Sequence, residues 1–168
     1  MMQVLNKANV SILHDGIRES DVSNPQGYFE LEAVKGIVAD NSFLDNAEGK
    51  AVKIVAPLPI YMKPALKYKV LFMRRDLEEI LLSQEKMLSK DQSSEREKYR
   101  TIYEFHLKKT YRFFNEHSIE FLDVNYNEFM KSPEASLQKV IDFLELDASP
   151  QLLSEVVNPE LYRNRNEG

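Results

Sequence analysis

The sequence predicts an α/β domain with a mainly parallel sheet, and three observations carry that prediction. Two short, β-branched apolar runs, at residues 51–56 and 69–73, read as strands buried on both faces, the kind found in parallel sheets. At Asp76 the period changes from two to about 3.6, with Leu77, Ile80, Leu81, Gln84, Met87 and Leu88 along one helical face. That is a strand running into a helix with almost no loop, a βα unit. Longer helical segments then alternate with a third apolar run at residues 119–126, which completes the pattern.

The elements follow in order. Residues 1–10 read as the end of a helix with apolar Met2, Val4 and Leu5, and residues 14–27 carry the Asp, Ser, Asn, Gly and Pro of loop chemistry. Residues 29–40 return to helical spacing through Leu31, Val34, Ile37 and Val38. The strand at 51–56 is stopped by Pro57 and Pro59. After the charged stretch 89–94, Ser94 and Glu97 stand at capping-box spacing. The helix they open should run to about Glu116, with Tyr99, Ile102, Tyr103, His106, Thr110 and Phe113 facing inward. Ser132-Pro133 and Ser149-Pro150 each pair an N-cap hydroxyl with an N1 proline, opening helices at 134–144 and 151–157.

Composition narrows the function classes. At 168 residues the chain is the size of one domain, able to bury about 70% of its extended-chain surface. The absence of Cys excludes a disulfide scaffold, a thiolate nucleophile and Cys-ligated zinc, and fits a cytoplasmic location. A net charge of −5 argues against bulk nucleic-acid binding but leaves room for a local pocket for one anion. No apolar run reaches the length of a membrane span. His14, His106 and His117 lack a second ligand at metal spacing, so no metal is expected, and no Gly-x-Ser-x-Gly elbow points to an esterase.

Arg74 and Arg75 close the strand at 69–73, and ligands in open α/β sheets bind outside the carboxyl ends of strands. Ser83 follows Arg75 by eight positions, about 12 Å of helical rise. An arginine fork and a hydroxyl on rigid elements can grip one phosphate from two sides. From the spacing alone, an Arg-Asp turn with a solvated Ser83 is the competing reading.

The run Tyr68-Lys69-Val70-Leu71-Phe72-Met73-Arg74-Arg75-Asp76 with Ser83 resembles the strand–Arg–helix–Ser segment of the sulfotransferases. The resemblance continues through residues 121–129, Ser132-Pro133 and residues 140–144, similar to that family's later strand, turn and closing helix, and covers most of the chain. It implies a three-layer P-loop NTPase-like fold in a single domain spanning 1–168. It also implies transfer of a sulfuryl group from 3′-phosphoadenosine 5′-phosphosulfate (PAPS) to a hydroxyl or amine on a small molecule, glycan or peptide. Arg75 and Ser83 match the family's 3′-phosphate ligands, and Tyr126 matches a residue packing near the adenine. Arg163 and Arg165, in a tail like that of a bacterial subgroup, would approach the nucleotide, though a frayed basic end reads equally well.

Two departures qualify what the resemblance implies. The Gly- and Ser/Thr-rich loop that cradles the 5′-phosphosulfate in the family is absent from this sequence, as is a Walker lysine. The expectation is a chain truncated at its amino end that binds PAPS and transfers sulfate poorly, with exposed sheet edges open to oligomer formation. A non-catalytic module binding a nucleotide or a protein is the alternative. Val55 stands where many members place a catalytic His. Glu30 is the substitute general base, with a first-turn helix acid the competing reading, and Lys53 would balance charge on the departing group unless it is an outward strand lysine.

Overall fold

The computed structural model describes residues 1–18, 27–88 and 93–159. It is a mixed α/β chain built on two small parallel sheets. The order is α1 (Met2–Lys7), β1 (Ser11–Ile12), β2 (Lys50–Ala51), β3 (Lys69–Arg74), α2 (Leu77–Leu88), α3 (Arg96–Glu116), β4 (Glu120–Asn125), α4 (Tyr126–Lys131), α5 (Pro133–Leu144) and α6 (Pro150–Ser154). β1 pairs with β2, and β3 pairs with β4 in continuous register from Lys69 opposite Glu120 to Arg74 opposite Asn125.

β3 is apolar from Val70 to Met73 without alternation, since both faces of the pair meet packed side chains, whereas β4 sets exposed Glu120, Asp123 and Asn125 among its apolar residues. Leu71, Met73, Leu122 and Val124 pack into a core with Val4 of α1, Phe129 and Met130 of α4, Leu137, Val140 and Ile141 of α5, and Leu153 of α6. Val70, Phe72 and Phe121 turn the other way, into a cluster centred on Phe114 of α3 with Ile37, Leu44, Met62 and Ile119. Phe114 has no exposed surface, and its ring meets Phe72 edge-on at 5.7 Å and Phe121 at 5.4 Å.

Several elements form differently from the sequence expectation. Of residues 51–56 just Ala51 is in a strand, as the end of the two-residue β2, because its ladder partner among the described residues is the equally short β1. The stretch 29–40 gives a 3₁₀ turn at Glu32–Gly36 rather than an α-helix, and Val38 is left 60% exposed. Before α3 a 3₁₀ turn at Ser93–Glu95 takes the place of the Ser94 capping box, and Glu95 is the N-cap without a side-chain bond. The helix keeps the expected phase at Thr110, which is buried, and at Tyr99, Tyr103, His106 and Phe113, which are partly buried; Ile102 is exposed instead, and Phe114 joins the buried face. Both Ser-Pro starts hold their positions, but only Ser149 uses its oxygen, accepting the N–H of Leu152, while Ser132 makes no side-chain cap. No described helix is long and apolar enough to cross a membrane.

Candidate functional site at the end of the β3–β4 pair

Parallel pairing in register brings the two strands to an end at one level, so the next residues, Arg75 and Tyr126, leave the sheet side by side. The Arg75 guanidinium carbon lies 5.0 Å from the centre of the Tyr126 ring, cation–π distance. Burial raises the Tyr126 phenol above its ordinary pKa; the neighbouring Arg75 works against that rise and Glu79 adds to it.

Two side-chain caps turn the chain into helices here. Asp76 Oδ1 accepts the N–H of Glu79 at 3.2 Å and starts α2. Asn125 Oδ1 accepts the N–H groups of Asn127 at 2.9 Å and Glu128 at 3.1 Å and starts α4. The two helix starts are joined through Asn127. Its Nδ2 donates to Glu79 Oε1 at 2.9 Å, and its Oδ1 accepts from the Asp76 N–H at 3.5 Å. Glu79 completes the cluster by accepting the Arg75 Nε–H on Oε2 at 3.0 Å. The Glu79 side chain is 2% exposed and that of Arg75 22%, so this is an ion pair largely withdrawn from water.

Ser83 stands half-buried one turn beyond Glu79 on α2, while Arg75 lies before the helix, between β3 and α2. The hydroxyl of Ser83 has no hydrogen-bond partner among the described residues, Arg75 included. Two surface depressions, of about 420 Å³ beside Ala33, Gly36 and Phe43 and about 60 Å³ along β4 near Ser136 and Lys139, include neither residue in their lining.

Glu30 and Lys53 form a separate cluster. Lys53 Nζ donates to Glu30 Oε1 at 3.0 Å and to the Tyr28 carbonyl at 3.2 Å, while Arg18 donates to both Glu30 oxygens at 3.1 and 3.2 Å. Arg18 also lies over the Tyr28 ring at 3.4 Å. Partial burial works against the charged carboxylate, yet the hydrogen bonds from Lys53 and Arg18 prevail and hold Glu30 below the usual glutamate range. Glu30 therefore accepts from two cations at once, and Lys53 points back at it rather than outward. Arg163 and Arg165 lie outside the described residues.

The sequence reading missed Glu79, Asn127 and a third group on the α3 side of the sheet. There Arg74 donates to the Tyr111 hydroxyl at 2.5 Å, which donates in turn to Asp123 at 2.7 Å. Burial first, then the Asp123 carboxylate, raises the Tyr111 phenol, and Arg74 counters them. A signal for Glu79 was present in the i, i+4 spacing from Arg75, which favours an Arg–Glu contact along a helix. Nothing local marks Tyr111 or Asn127. Among the described residues no group of three or more His, Asp or Glu converges as a metal site.

Comparison of the chain with family models, with curated proteins and with solved structures finds no match.

Proposed function

We propose that the chain is a sulfotransferase-like protein whose β3–β4 carboxyl end holds the 3′-phosphate and adenine of PAPS or of adenosine 3′,5′-bisphosphate. The observation that carries this reading is the register, which sets Arg75 beside Tyr126 with its guanidinium 5.0 Å from the ring, where two parallel strands end. A cation for a phosphate and a flat ring for a base are the two parts such a nucleotide needs. Coverage of the parallel pair on both faces supports the finer reading as a P-loop NTPase-like, three-layer fold.

In this reading Arg75 grips the phosphate, Ser83 adds a hydroxyl from one turn up α2, and Arg163 and Arg165 come to the nucleotide from the tail. The acceptor is a hydroxyl or amine on a small molecule, glycan or peptide. Lys53 balances charge on the departing group, and Glu30 takes the acceptor proton only once freed from Lys53 and Arg18. Its double pairing favours the second reading, a module that binds the nucleotide without transferring sulfate. The pairing weakens Glu30 as a base, since a carboxylate held below its usual range gives up little driving force to a proton.

Isothermal titration of the full chain with adenosine 3′,5′-bisphosphate tests the site. Binding weakened by about tenfold or more in Arg75→Ala, and unchanged in Arg112→Ala, is the expected outcome. Arg112 is an exposed residue paired with Glu116, so it controls for lost charge. Equal affinity in Arg75→Ala and the parent overturns the proposal. A sulfate-transfer assay on the parent then separates enzyme from binding module.

A further inference from the structure

We infer that Glu79, braced by Asn127, is a positioning residue that fixes the plane of the Arg75 guanidinium for a phosphate ester. This rests on the nucleotide site proposed above and names what sets its affinity.

An arginine at a strand end is a long side chain with several rotamers, and an anion that must first order it binds correspondingly less well. Here the ordering is built in. The Nε–H of Arg75 is engaged by Glu79 Oε2 at 3.0 Å, which sets the rotation of the guanidinium plane. The Tyr126 ring beneath, at 5.0 Å, sets its height. Glu79 in turn has little freedom: its side chain is 2% exposed and its other oxygen takes Asn127 Nδ2 at 2.9 Å. Asn127 is tied by its Oδ1 to the backbone N–H of Asp76, the residue after Arg75. The chain of contacts therefore closes on itself, from Arg75 through Glu79 and Asn127 back to the neighbouring peptide. A closed loop of this kind couples the N-terminal turn of α2 to that of α4 and holds the cation in one orientation.

The carboxylate is costly to bury, and a surface Arg75 would need no such partner to stay soluble. A pair kept only for stability would leave ligand discrimination unchanged when loosened, which makes the two roles separable by experiment. The probes are adenosine 3′,5′-bisphosphate and adenosine 5′-monophosphate, titrated into the full chain and into Glu79→Gln and Asn127→Ala. The ratio of the two affinities isolates the 3′-phosphate.

In the parent the bisphosphate is expected to bind at least about tenfold more tightly than the monophosphate. In both variants the ratio falls several-fold while monophosphate affinity stays within about twofold, an outcome general loosening would not give. Exchange of the Arg75 Nε–H with water, followed by nitrogen-edited NMR without ligand, is slow in the parent and faster in Asn127→Ala. That measurement keeps the inference testable if Glu79→Gln folds poorly. An unchanged ratio in Asn127→Ala together with unchanged Nε–H exchange overturns the positioning role and leaves the nucleotide site standing. A parent that does not distinguish the two nucleotides overturns both.

Discussion

Replacing Arg75 with alanine leaves the Glu79 carboxylate at 2% exposure with Asn127 as its remaining partner of the two described in the cluster. Removing one member of a buried ion pair typically costs about 3–5 kcal/mol, far more than the pair itself contributes. Arg75 is 22% exposed and Asn127 still satisfies one carboxylate oxygen, which places the cost at the lower end, about 3 kcal/mol. For a chain of this length that corresponds to a fall in Tm of about 6–12 °C. Urea unfolding followed by far-ultraviolet circular dichroism measures it. Arg112→Ala, whose pair with Glu116 is exposed on both sides, is the reference and should lose less than about 1 kcal/mol. Replacing both partners, as Arg75→Met with Glu79→Leu, should recover most of the loss, since no orphaned charge remains. A single Arg75→Ala variant as stable as the Arg112→Ala reference would show that water already screens the pair, and the argument from burial would fail.

Two further predictions concern the rest of the molecule. Glu30 has its carboxyl pKa depressed, so its contribution to stability is fully present above the usual glutamate range and is lost as the pH falls through the lower folded value. Acid titration of unfolding in Glu30→Gln should lack that part of the acid-side loss, and parallel acid limbs for the two proteins would refute it. Phe114→Ala should cost about 3–5 kcal/mol, because the ring is wholly buried between Phe72 and Phe121; a loss under about 1 kcal/mol in urea unfolding would mean the α3 face is not packed as described.

What was legible in the sequence is what local chemistry decides. The switch at Asp76 was readable because an acid N-cap follows an apolar strand directly, and α5 and α6 were readable because proline at N1 marks a start. What depends on distant partners was not. Residues 51–56 have strand propensity throughout, but a strand exists only where another strand lies beside it, and β1 offers two residues. Residues 29–40 have helical spacing, yet too few of their apolar side chains find a core to offset helix nucleation, so one 3₁₀ turn forms. Within the site, Arg75 is marked by its place at the carboxyl end of a strand, whereas Ser83 is joined to it by the resemblance rather than by spacing alone. Spacing offers Glu79 as a partner for Arg75, but the bond that braces it comes from Asn127, 48 positions away.

The equal lengths of β3 and β4 have a consequence for how this chain can change. A single-residue indel inside either strand would slide its end by about 3.3 Å and send every following side chain to the opposite face. Arg75 and Tyr126 would then part company while the fold kept its helices. Lengthening the connection between the two strands carries no such penalty. The two strands work as a ruler, and variants of this chain that keep the site should vary in the connecting segments and hold both strands at one length.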